Sequence, residues 1–89
     1  MITKDEFIQA FEANDSTDWK GDNAFQGLQI IAKYINPAEK DLICGAGHDQ
    51  IHSVRLDDIC KAGITIEDVK ALRKLNWSIE DGEWLSCFV

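Results

Sequence analysis

Basic residues are scarce in this chain: nine Lys and Arg stand against sixteen Asp and Glu, for a net charge of −7. That balance keeps a protein soluble and discourages direct contact with nucleic acid or an anionic membrane. It favours contact with basic surfaces, and many basic surfaces exist to bind DNA or RNA. Long apolar runs are also missing. No stretch approaches the ~20 residues that span a bilayer. The first residues, Met1-Ile2-Thr3-Lys4-Asp5-Glu6, are charged and do not read as a signal peptide, so the cytoplasm (of a host cell) is the expected compartment. The cysteines are few and odd in number: Cys44, Cys60 and Cys87. Without an export signal they are expected as reduced thiols that pack as small hydrophobes. There is no internal repeat, linker, low-complexity segment or catalytic motif. A binding protein is therefore expected rather than an enzyme.

What remains is one domain's worth of chain. Eighty-nine residues leave no room for a second core, and the apolar fraction of 45% is ordinary for a globular protein. A chain this short buries roughly two-thirds of the surface its unfolded form exposes, so modest stability is expected.

Thr3 and Glu6 have capping-box spacing, and Phe7, Ile8, Ala10 and Phe11 follow at helical spacing. This predicts a first helix from Lys4 to Ala13, ended by Asn14. A polar, acidic loop leads to a second helix from Asp22 to Ile35, with Phe25, Leu28, Ile31, Ala32 and Ile35 as its apolar stripe. Pro37 stops it. Two short runs, Asp41–Ala46 and Gln50–Val54, flank Gly47-His48-Asp49 and read as a β-hairpin. A short helix from Leu56 to Ala62 with Gly63 as left-handed cap follows. The next helix starts at Thr65, with Val69, Leu72 and Leu75 on its apolar face. Asp81-Gly82 between alternating runs is a type I′ hairpin signal. In the last strand Trp84, Ser86 and Phe88 are expected on one face, with Leu85, Cys87 and Val89 on the other. The order ααββααββ predicts an α+β domain: a small antiparallel sheet of two hairpins, covered on one face by about four short helices.

Three constellations bear on chemistry. Cys44, His48, His52 and Cys60 read C-x3-H-x3-H-x7-C, a donor set zinc accepts. They lack the C-x2-C pairs of typical zinc sites, so packing and turn roles are preferred and no metal is expected. Cys44 with His48 or His52 and Asp49 has the residue types of a thiol nucleophile, base and orienter. All of them crowd into one hairpin, whereas such partners usually converge from separate elements. Gly45-Ala46-Gly47 precedes His and Asp rather than a helix carrying Lys and Ser or Thr, so it is not a phosphate loop. No cofactor is implied.

The acids sort into two kinds. Asp5, Glu6, Asp57, Asp58, Glu67 and Asp68 lie at predicted helix starts, where they complement the dipole. Asp15, Asp18 and Asp22 crowd one loop, and Glu80, Asp81 and Glu83 crowd one hairpin turn. Either cluster reads as a solvated surface or as charge that imitates a phosphate backbone. Trp19 sits in the acidic loop as a partner anchor or a core residue. Trp77 and Trp84 are read as a packed pair across the last hairpin.

The stretch from Lys61 to Trp77 (KAGITIEDVKALRKLNW), with the ending Cys87-Phe88-Val89, resembles small proteins of bacteriophages and mobile elements. Small size, acidity and the lack of catalytic residues also resemble the anti-CRISPR proteins, several of which imitate DNA. That resemblance implies an inhibitor occupying a basic nucleic-acid-binding site, such as that of a CRISPR surveillance complex; no functional residue carries over from it, and Asp15, Asp18, Asp22, Trp19, Glu80, Asp81 and Glu83 are the binding residues expected from the two acidic clusters and the loop tryptophan. The alternatives are an interaction module using aromatic surface residues, as a monomer or homodimer, and a small Cys/His metal protein.

Overall fold

A computed structural model describes residues 1–15, 19–47 and 49–88 of the chain. Asp18, His48 and Val89 lie outside the described residues, so expectations placed on them are not tested by it.

The starts of three of the four helices are local events. Helix α1 (Lys4–Glu12) begins where Thr3 and Glu6 pair reciprocally: Glu6 N–H donates to Thr3 Oγ1 at 3.1 Å, and Thr3 N–H donates to Glu6 Oε1 at 3.0 Å. Two donors that the helix cannot satisfy are thereby paired. Helix α2 (Asn23–Ala32) begins on Asp22, whose carboxylate accepts from Phe25 N–H at 3.1 Å. Its regular part ends before Ile35. The amides of Tyr34 and Ile35 both converge on Ile31 O at 3.0 Å, tightening the last turn ahead of Pro37.

Strand β1 is only Gly45–Gly47, shorter than the expected Asp41–Ala46. Leu42 is instead held against β2 (Gln50–Arg55) by its carbonyl, which accepts from the Ser53 hydroxyl. Ile43 and Cys44 are exposed. A brief Gly-Ala-Gly strand at a sheet edge has little side chain to pack, and short edges resist unwanted pairing. Helix α3 (Leu56–Lys61) ends as expected at Gly63, whose φ of +95° lets Ile64 N–H reach Ile59 O. Helix α4 (Ile66–Lys74) starts on Thr65, and Asn76 at φ +64° turns the chain after it.

Strands β3 (Ser78–Glu80) and β4 (Trp84–Phe88) complete a four-stranded antiparallel sheet in the order β1-β2-β4-β3. The two hairpins therefore join along β2 and β4. The α+β class and the order ααββααββ are as expected.

The register decides which side chains share a face. Gln50 pairs with Phe88 and His52 with Ser86, but the next pair is Arg55 with Trp84. Ser53 and Val54 thus stand together opposite Leu85 in a β-bulge. Both bulge residues are buried, and Arg55 returns to the face of Trp84. Val54, Leu85 and Cys87 belong to a core shared with Phe7, Ile31, Leu56, Ile59, Val69 and Leu72 from the helices. The other face carries Gln50, His52, Ser78, Glu80, Trp84, Ser86 and Phe88, and on it Phe88 is 58% exposed.

Asp81 and Gly82 both take positive φ, 54° and 66°, and Glu83 N–H donates to Glu80 O at 3.0 Å, as a type I′ turn requires. The ladder nevertheless opens with Glu80 opposite Trp84, which leaves Glu83 as an extra residue. Its carbonyl is drawn off to accept from Leu56 N–H at 2.7 Å, at the start of α3. The expected Trp77–Trp84 pair is therefore not formed. Trp84 lies opposite Glu80 on the uncovered face, while Trp77 is wholly buried under α2. Trp77 Nε1–H donates to Asn23 O at 3.0 Å, and Gly27 is the helix position against its indole ring.

Asp68 does more than complement a helix dipole. Asp68 on α4 meets Lys33 Nζ at 2.8 Å and accepts from the Tyr34 hydroxyl, which ties the end of α2 to the start of α4. Burial alone would push this carboxyl up, but the Lys33 and Tyr34 hydrogen bonds and the lysine charge hold it below its ordinary value. A depressed carboxyl stabilises the fold above its unfolded pKa of about 3.9, and that contribution is lost as pH falls through the lower folded value. Urea midpoints across pH should show it: Asp68→Asn is expected to lower the midpoint at neutral pH and to converge with the parent in acid. Parallel curves would remove Asp68 from the acid response.

Candidate functional site

Asp22, of the first acidic cluster, and the Glu80–Glu83 turn lie at opposite ends of β4. Glu80, Asp81 and Glu83 form the turn at its start. Asp22 lies near its end: Asn23, the next residue, donates from Nδ2 to Leu75 O at 2.9 Å and to Cys87 Sγ at 3.3 Å. Burial, reinforced by the charge of Asp22, pushes the Cys87 thiol up. Four residue steps along a strand span about 13 Å. Asp22 is thus set apart from the Glu80–Glu83 turn by the length of the strand. Asp15 is exposed just beyond α1, next to Asn14, whose carbonyl accepts from Arg73 Nε at 3.1 Å. Trp19 is 39% exposed, so it is not a core residue.

Ion pairing separates the acids further. Asp22 caps α2. Asp58 pairs with Lys40 at 3.1 Å and Glu83 with Arg55 at 3.0 Å. Arg55 also lays its guanidinium over the Trp84 ring, 5.1 Å from the centroid. Among the described residues Glu80 and Asp81 have no cationic partner.

These two line a cleft of about 260 Å³ together with Cys44, His52 and Trp84. The cleft crosses the whole sheet. Cys44 precedes β1, His52 is on β2, Trp84 on β4, Glu80 on β3 and Asp81 in the turn beyond it. Close by, the floor of this face is stiffened by hydroxyls. Ser86 is fully buried, takes a hydrogen bond from Gln50 Nε2 at 3.1 Å and shares one with Ser78 Oγ at 2.9 Å.

Cys44 and His52 are neighbours, since Cys44 N–H donates to His52 O at 2.7 Å. The remaining cysteine of the zinc-like pattern is elsewhere. Cys60 packs in the core on α3, and burial, with Asp57 and Glu6 adding to it, pushes its thiol up. Among the described residues no three His, Cys, Asp or Glu side chains are grouped to hold a metal ion. Asp49 sits in the β1–β2 turn at φ +64° and does not line the cleft.

Sequence reasoning found Glu80, Asp81 and Glu83 from their crowding but missed their companions. His52 and Cys44 are about thirty residues from the hairpin, and only the β2–β4 pairing brings them across. The β2 bulge, which delivers Arg55 to Trp84, has no local signal. No helix among the described residues is long and apolar enough to cross a membrane. No protein-family model, curated protein or solved structure matches this chain.

Proposed function

We propose that this chain is a non-enzymatic binding protein that occupies a basic, nucleic-acid-binding surface of another protein, as an inhibitor of the DNA-mimicking, anti-CRISPR type would. The observation that carries this reading is the pair of carboxylates, Glu80 and Asp81, without a cationic partner among the described residues and beside the sheet face turned away from the core. A net charge of −7 supports it by steering the chain toward basic partners. Asp15 and Asp22 add further negative charge.

Retrieval of partners from a host lysate followed by binding at graded salt tests the reading. The retained protein is expected to bind nucleic acid, to lose that binding in the presence of this chain, and to release it steeply with salt. A loss of at least about tenfold between roughly 50 and 200 mM salt is expected. Salt-insensitive binding, or a partner that holds DNA and this chain together, would overturn it. Asp22 is best neutralised as Asp22→Asn, because asparagine caps a helix about as well as aspartate. Removing its charge together with that of Asp15 then costs affinity rather than stability.

A second reading, a homodimer through aromatic residues, is favoured by Phe25 and Phe88, each 58% exposed. Sedimentation at raised concentration separates the two: a dimer that dissociates on Phe88→Ser supports the second reading.

A further inference from the structure

Two carboxylates at a hairpin tip would by themselves be an ordinary solvated turn. Here they border a cavity with an aromatic wall, and the protein already shows what that wall does with a guanidinium. Arg55 stacks over Trp84 while its Nη2 pairs with Glu83 at 3.0 Å. The stack and the ion pair are formed together, the arrangement in which arginine exceeds lysine because its charge is planar and forked. Arg55 does not line the cleft. The cleft uses the same Trp84, with Glu80 and Asp81 beside it, and no Lys or Arg among the described residues lines it. Its remaining lining is His52 and Cys44.

From this geometry we infer that the cleft bounded by Cys44, His52, Glu80, Asp81 and Trp84 receives an arginine side chain of the partner. The guanidinium lies against Trp84 and donates to Glu80 and Asp81. Anionic ligands are repelled by the same two groups, and an apolar side chain would leave both carboxylates desolvated without a partner. This inference rests on the proposed function, since it names the side chain by which a basic surface is held.

The test is an NMR titration of the intact chain with three small probes: arginine, lysine and citrulline, each blocked at both ends. Citrulline has arginine's shape without its charge. Blocked arginine is expected to produce saturable shifts at the Trp84 indole N–H and at the amides of His52, Glu80 and Asp81. A dissociation constant in the millimolar range is appropriate for a single side chain. Lysine is expected to bind at least about threefold more weakly, and citrulline not at all. The double variant Glu80→Gln, Asp81→Asn should weaken arginine binding by about fivefold or more. Asparagine tolerates the positive φ at position 81, so the turn is kept and the rest of the spectrum should not move. No saturable shift at Trp84, or an equal response to citrulline, would overturn the inference. Failure of the proposed function is separate. If arginine fills the cleft but the retrieved partner binds without salt dependence, the cleft stands and the function falls. If partner binding is salt-steep yet indifferent to the double variant, the function stands and the cleft falls.

Discussion

Gly27→Ala is expected to cost about 3 kcal/mol or more and to leave the protein marginally folded or unfolded. A Cβ at this position would lie 2.1 Å from Trp77 Nε1, 2.2 Å from Cε2 and 2.6 Å from Cζ2. Neither side yields easily. Gly27 is in the middle of α2, and the indole is fully buried with its N–H bonded to Asn23 O at 3.0 Å. Moving the ring breaks that bond; moving the helix pulls its N-cap, and Asn23 with it, away from Leu75 and Cys87. Alanine regains up to about 1 kcal/mol of helix propensity, which the overlap outweighs. A domain of this size has roughly 4–13 kcal/mol in total, so the loss is a large share. Urea unfolding followed by circular dichroism reads it. Adding Trp77→Leu to Gly27→Ala should recover part of the loss by removing the overlap. A Gly27→Ala protein as stable as its parent would mean that α2 does not lie on Trp77.

Phe7→Ala should be nearly as damaging, by about 3–5 kcal/mol. Phe7 has no exposed surface and stacks on Phe11 with centroids 6.1 Å apart. It is the main apolar anchor of α1, a helix that packs on α3 and α4. Nine residues of isolated helix are unstable in water even with a good cap, so α1 persists only while it is docked. Truncation therefore removes transfer energy, leaves a cavity and loosens the helix at once. Ile8, half-buried beside it, is the control: Ile8→Ala should cost clearly less. Denaturant midpoints for the two variants decide the matter, and equal losses would contradict the docking of α1 through Phe7.

The two variants differ in how visible they are beforehand. Phe7 stands at the first apolar position after the Thr3–Glu6 capping box, and its periodicity with Phe11 marks it as core. Gly27 has no such mark. A glycine inside a helical pattern reads as a weak spot, and nothing near it in sequence mentions a tryptophan fifty positions away. The same contrast runs through the acids. Glu6, Asp22 and Asp68 each sit at a helix start, and the sequence assigns Glu6 and Asp68 a role there correctly. It does not assign Asp68 its partners Lys33 and Tyr34, which come from another helix.

The sheet shows the limit most clearly. Asp81-Gly82 determines its own turn, because only residues that accept positive φ can make it. The one-residue offset that places Trp84 opposite Glu80 is not in that signal. It comes from Glu83, whose carbonyl is taken by Leu56 N–H at the head of α3. One step of register moves a side chain to the other face, so the expected Trp77–Trp84 pair becomes two tryptophans with unrelated surroundings.

Sequence by itself determined the acidity, the capped starts of α1, α2 and α4, both glycine- or Asp-Gly-dependent reversals and the α+β order. Each is decided by residues within about four positions of one another, where capping, periodicity and backbone preference act. Tertiary structure alone decided the β2–β4 pairing, the bulge at Ser53 and Val54, the contact of Gly27 with Trp77, and the distance of Asp22 from the Glu80–Glu83 turn along β4. It also assembled the cleft. Cys44, His52, Glu80 and Trp84 meet because four strands stand side by side, and the energy that holds them there is the burial of Leu85, Cys87 and Val54 on the opposite face.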